Sequence, residues 1–251
     1  MFRYQLAGIV NRRMAILLAA LMLVAFLFNR FVAELAIINS ETIALSALAD
    51  FLRYSLVLVM VVSISYQVSQ DYDTSQFDRL LAMPLARHQY LTAQLLVMVC
   101  FALLLVIPVV ALMWSLSQGE LGLYWGAALF LELLLAGQFA LLSILSLEKL
   151  PLAVMLSLTL YLLAKAAPLI AVMLMQSSPI YEEENGFQIA STLFSALQYL
   201  LPNASAFAQN DLLSAPLDLL SVISEQLINV VVYGVFLQLI ILFDFYRKEF
   251  L

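Results

Sequence analysis

Six ionisable side chains stand inside long apolar runs of this sequence: Arg30, Glu34, Asp50, Arg53, Glu132 and Lys165. Three are basic and three acidic, in a chain that is only 11% charged. A charge inside a low-dielectric layer is costly unless it is paired or lines a polar cavity. Arg30 and Glu34 stand at i,i+4, Asp50 and Arg53 at i,i+3. Both spacings place the two groups on one helix face. Glu132 and Lys165 each lie about ten residues, or about 15 Å, from the same end of their runs, which predicts a pair between two helices. Two kinds of chemistry fit this layer: structural ion pairing near a wet interface, or a polar cavity that admits a solute.

Other chemistry is hard to build from this chain. His88 is the single histidine and Cys100 the single cysteine. A structural zinc needs four nitrogen or sulfur ligands, so it is excluded. Cys100 has no partner for an intramolecular disulfide and reads as a small buried hydrophobe. There is no G-x-S-x-G nucleophile turn and no G-x-x-x-x-G-K-[ST] phosphate loop. No catalytic, cofactor-binding or metal-binding residue is therefore assigned, and the chain is not expected to be an enzyme. Any energetic work must draw on a partner or an ion gradient. A formal charge of −6 would speak against nucleic acid, but where the charges fall relative to the apolar runs matters more than the net value.

The elements that position the six charges follow from composition. The 251 residues are 65% hydrophobic, with a mean hydropathy of +1.02. A soluble domain is nearer half apolar. A helix needs about 20 apolar residues to cross the hydrocarbon layer, and six segments qualify: 14–38, 45–68, 91–116, 121–147, 150–175 and 226–246. The fold class is thus an all-α membrane protein with six transmembrane helices, and residues 1–251 form a single transmembrane domain. The first segment is preceded by basic residues, but no small-x-small cleavage site follows it, so it is expected to be retained as a span.

The positive-inside rule orients the spans. Outside them the basic residues are Arg3, Arg12, Arg13, Arg79, Arg87, Lys149, Arg247 and Lys248. With six spans, all of these fall on one side. The opposite segments 39–44, 117–120 and 176–225 hold Glu41, Glu120, Glu182, Glu183, Glu184, Asp211, Asp218 and Glu225, with no lysine or arginine. Both termini are expected to be cytoplasmic. Residues 1–13 mix apolar residues with Arg3, Arg12 and Arg13 and suit a short helix in the cytoplasmic interface. Trp114, Tyr124 and Trp125 suit an interfacial belt at the opposite side. Gly122 and Gly126 form a GxxxG that favours close helix packing. Gln138 suits an interhelical hydrogen bond. Residues 176–225 are too apolar for a plain loop and predict interfacial or re-entrant helices, broken at Pro202 and Pro216.

The cytoplasmic link at 69–90 predicts a further helix lying along the membrane. Ser69 to Gln76 supplies helix-starting Asp, Ser and Thr. Leu80, Leu81 and Met83 offer apolar anchors beside Arg79 and Arg87, and Pro84 breaks the chain. A membrane-hugging turn is the plain alternative. His88 reads as a surface histidine.

This link resembles that of the permease subunits of type-2 ABC exporters. The family places an acidic residue, Gly-Thr, Leu-Leu, Pro-x-Ser-Arg and Tyr-Leu-x-Gly-Lys between its second and third spans. Here Leu80-Leu81, Pro84-Leu85-Ala86-Arg87 and Tyr90-Leu91 stand at matching spacings, with Asp71 or Asp73 for the acidic residue. Ser75-Gln76 replaces Gly-Thr, and Ala93-Gln94 replaces Gly-Lys. Six spans and a long external segment before the last one also match, with Tyr199-Leu200-Leu201-Pro202-Asn203 where a proline-containing hairpin is expected. The chain is most similar to the branch that includes the permease for nitrous oxide reductase maturation.

The resemblance implies that 69–90 is a coupling helix docking on a separate ATP-binding subunit through Asp78, Arg79, Leu80, Leu81, Pro84 and Arg87. Residues 1–13 would be a second contact. It implies a homodimer of permeases with two ATPase subunits, which carry the ATP and Mg, in a bacterial inner membrane. Membrane lipids surround it, and the apolar spans favour a lipid-like or amphipathic export substrate. The alternative is a membrane element passing conformational work, or a small species, to a periplasmic partner for metalloenzyme maturation, with 176–225 as its docking surface. A gradient-driven transporter or an intramembrane enzyme lacks support, since neither an inverted repeat nor a catalytic motif is visible.

Overall fold

The computed structural model describes residues 12–35, 39–73, 87–116, 120–181, 191–196, 201–207 and 219–247. They form six long helices: α1 Arg12–Leu35, α2 Ser40–Asp73, α3 Arg87–Leu116, α4 Glu120–Leu147, α5 Leu150–Tyr181 and α6 Leu219–Arg247. A short helical piece at 191–196 and a 3₁₀ turn at Ala204–Ala206 precede α6. No strand occurs among the described residues. All six long helices are long and apolar enough to cross a membrane. The chain is thus an all-α, multi-pass membrane protein, as its composition predicts.

Several ends differ from expectation. Arg12 and Arg13 belong to α1; the rest of the helix expected over 1–13, residues 1–11, lies outside the described residues. Helix α2 continues through Ser69–Asp73, which were expected to start a separate helix. At about 1.5 Å per residue its 34 residues reach about 51 Å, well beyond the roughly 30 Å of a hydrocarbon layer. Helices α5 and α6 likewise take in 176–181 and 219–225 from the segment expected to be interfacial or re-entrant. Polar residues at a span end stop the membrane, not the helix: backbone hydrogen bonding continues where water can hydrate the side chains.

Helix α4 is the hub. It packs against α2, α3, α5 and α6, whereas α1 packs on α2. In its most apolar stretch 83% of α4 is buried, against 6% for α1. A helix enclosed on all sides has to be largely apolar on all sides, and LELLLAGQFALLSIL is so apart from Glu132, Gln138 and Ser143. Contacts fix the directions. Gly137 meets Met60 while Glu132 meets Arg53, so α2 and α4 run parallel. Gly126 meets Val110 and Gly137 meets Met98, so α3 runs opposite to α4. Gln138 meets Gly234, and Ser146 Oγ donates to Asp244 Oδ2 at 2.9 Å, so α6 runs with α4. The bundle has a basic end, carrying Arg12, Lys149 and Arg247 along with Asp71, Asp73, Glu148 and Asp244, and an acidic end, where Glu41 is the second residue of α2 and Glu120 the first of α4.

The α4–α5 turn is two residues, with Glu148 left-handed at φ 60°. The Glu148 N–H donates to Ile144 O at 2.9 Å, closing α4. In lipid, helices associate through close packing more than through hydrophobic burial, so small residues mark the contacts. Of the Gly122/Gly126 pair, Gly126 shows this directly: a Cβ there would clash with Val110 Cγ2. Gly126→Ala is expected to cost about 1–3 kcal/mol by overpacking, measured by thermal unfolding in detergent. Val110→Ala in the same chain should recover most of that loss.

Candidate functional site

Three neighbouring helices each bring a charge to one place. Arg53 comes from α2, Glu132 from α4 and Lys165 from α5. Counting from their acidic-end termini, Arg53 and Glu132 both stand about 20 Å along their helices. Equal depth on packed helices brings them together. Glu132 is wholly buried. Its Oε1 accepts from Lys165 Nζ at 2.9 Å and from the Tyr161 hydroxyl at 2.5 Å. Its Oε2 faces Arg53 Nε at 3.6 Å. Arg53 Nη1 lies 3.5 Å from Asp50 Oδ1, one turn away.

Aromatic rings complete the cluster. Lys165 Nζ also donates to Tyr161 Oη at 3.3 Å and stands 5.0 Å from the centre of the Tyr54 ring. A cation over a ring face is attracted by the ring quadrupole. Glu132 thus ties α2 to α5 through α4, and the cluster opens at Tyr54 and Asp50, which are partly exposed. Arg53 Nε and Nη2 and Glu132 Oε2 are buried without a hydrogen-bond partner.

Of the predicted charge layer, Asp50, Arg53, Glu132 and Lys165 therefore meet. The Glu132–Lys165 pair matches the depth expectation. Arg53, expected on Asp50 alone, also faces Glu132. Arg30 and Glu34 do not join: no ion pair links them among the described residues, and Arg30 instead stands over the Phe26 ring at 5.6 Å. Both are exposed on peripheral α1, where the surroundings, not a partner, solvate them. Tyr161 and Tyr54 were not anticipated. Tyr161 precedes Lys165 by one turn and Tyr54 follows Arg53, so helical spacing carried that signal.

A second polar set joins α2 and α3 at the basic end. The Tyr90 hydroxyl donates to Asp71 Oδ2 at 3.1 Å, and Gln94 Nε2 to Gln67 Oε1 at 3.3 Å. All four residues are buried. They hold the two stems of the 74–86 link side by side. Asp78, Arg79, Leu80, Leu81 and Pro84 themselves lie outside the described residues, and Arg87 is the first residue of α3.

Other expected positions fall as follows. Pro202 is buried just ahead of the 3₁₀ turn in sequence, and its carbonyl accepts the Ala204 N–H at 2.8 Å. Trp125 is no belt residue: it is fully buried, because α4 has protein around it even near its start. Trp114 is exposed as expected. Gln138 makes no interhelical hydrogen bond through Oε1, and its amide lies against Gly234. Cys100 is only partly buried. No protein-family model matches the chain, and no curated protein or solved structure matches it.

Proposed function

We propose that the chain is the permease subunit of an ATP-driven ABC exporter that moves a lipid-like or amphipathic substrate. The observation that carries this reading is the 69–90 segment. Its Leu80-Leu81, Pro84-x-x-Arg87 and Tyr90-Leu91 spacing follows the family's coupling link, in a six-span chain with no phosphate loop of its own. The buried bonds Tyr90–Asp71 and Gln94–Gln67 support it, because stems that are held together pass a push on the link into α2 and α3. Two copies would work with two ATPase subunits in a bacterial inner membrane, the basic end cytoplasmic. The Arg53–Glu132–Lys165 cluster would then lie in the outer half of the bilayer.

The test is co-expression with an ABC-type ATP-binding subunit from the same genome, starting with any encoded beside this chain. Joint purification and an ATPase rate that depends on the permease are expected; independent purification with an unchanged rate overturns the reading. One observation favours a second reading, a mechanical element acting on a periplasmic protein. Residues 176–225 hold six carboxylates, Glu182, Glu183, Glu184, Asp211, Asp218 and Glu225, and no basic residue. A periplasmic protein captured by the wild type, and lost when 182–218 is replaced, would decide for it.

A further inference from the structure

Arg53 and Lys165 share one enclosed carboxylate. Arg53 is 5% exposed, Glu132 0%, and the Lys165 side chain 14%. Asp50, the fourth charge, stands at the rim with its side chain 45% exposed. The enclosed set therefore carries one formal positive charge beyond its carboxylate, and a buried excess charge is costly unless an acceptor meets it. Arg53 meets that excess only through Asp50 at the rim. Nε faces Glu132 Oε2 at 3.6 Å and Nη1 faces Asp50, while Nη2 has no hydrogen-bond partner. With Asp50 displaced, the Nη1–Nη2 edge matches two oxygens of a carboxylate or phosphate.

The opening has a direction. Tyr54, 47% exposed, lies under Lys165 Nζ on the outer face of α2 beside α5. Leu58 follows it by one turn, and Leu162 and Leu169 flank Lys165 by one turn on α5; all three are exposed. A molecule approaching here leaves an apolar tail on leucines and brings its polar end to Arg53 and Lys165. We propose that Arg53 and Lys165 form a binding site for the anionic headgroup, phosphate or carboxylate, of an amphiphile entering from the bilayer between α2 and α5. Asp50 is the rim carboxylate that the headgroup displaces. The role of the site rests on the amphipathic-substrate reading above; binding itself needs no ATPase subunit.

Native mass spectrometry of the purified full chain reads the site, with dioleoyl phosphatidylglycerol against dioleoyl phosphatidylcholine as probes. The tails are the same, so only the headgroup differs. The wild type is expected to retain phosphatidylglycerol preferentially. Arg53→Gln should reduce that preference about thirtyfold or more, the usual scale for losing one partner of an enclosed charge contact. Asp50→Asn should increase it, and this half-exposed position keeps the test alive if Arg53→Gln fails to fold. Displacement by inorganic phosphate identifies a site that reads the free anion; no displacement identifies one that needs the tail. Either supports the site. Equal retention of the two lipids by the wild type overturns it, as does Asp50→Asn with unchanged preference. Absence of the preference with ATPase coupling intact removes the site and leaves the exporter; the preference without any ATPase partner does the reverse.

Discussion

Glu132→Leu is expected to lower stability by about 3–5 kcal/mol, the range for removing one partner of a buried ion pair. The loss arises because Arg53 and Lys165 remain enclosed without their shared carboxylate, 3.6 and 2.9 Å away in the wild type. The Tyr161 hydroxyl loses its acceptor as well. Thermal or SDS-driven unfolding of the purified protein measures it. The sign reverses when the cations go too: Arg53→Met with Lys165→Met on the Glu132→Leu background should recover most of the loss, because apolar side chains of similar volume pack without desolvation cost. A triple variant as unstable as the single one would show that shape, not charge, sets the stability here. Lys165→Met alone leaves Glu132 facing Arg53 and Tyr161, so its cost should be smaller. It separates the two uses of the cluster. Folded, assembled protein that no longer exports assigns the cluster to substrate. Export and assembly both unchanged leave it a structural tie between α2, α4 and α5.

Much of this arrangement was readable from residue types. Six apolar runs gave six helices, since nothing but a helix satisfies every backbone group within one segment in lipid. The Glu132–Lys165 pair was readable because a two-residue turn joins α4 to α5, and such a turn ties depth in one helix to depth in the other. The Arg53–Glu132 contact was not. Helices α2 and α4 are separated in sequence by all of α3, and their register is set by packing such as Met60 against Gly137. Arg30 and Glu34 misled for a related reason. Their spacing permits a pair, but on α1 no neighbour removes the surroundings that solvate each group separately. Trp125 misled because a belt residue has to face lipid, and only the packing shows which helix is the hub. The ends of α2, α5 and α6 went past the apolar runs because hydropathy reports the bilayer boundary rather than the last hydrogen-bonded turn.

The second large effect concerns the 74–86 link. Under the exporter proposal, Leu81→Asp and Arg87→Glu should each reduce capture of the ATP-binding subunit by about thirtyfold or more, the level of an interface hot spot. Leu81→Asp puts an unpaired charge where an apolar anchor would enter a cleft, and Arg87→Glu reverses a charge beside it. Both leave the described helices intact apart from the first residue of α3, so the stability of the isolated permease should hold. Tyr90→Phe provides a contrast. It removes the hydroxyl that donates to Asp71 at 3.1 Å without touching the link, so capture should persist while permease-dependent ATPase activity falls. Asp71 and Arg53 lie on the same helix about 27 Å apart. A push entering at the α2–α3 stems therefore reaches the ion cluster along one continuous helix. Capture unchanged by both Leu81→Asp and Arg87→Glu would remove the docking role of the link. Capture lost with Tyr90→Phe would place the stems, rather than the link, in contact with the ATPase subunit.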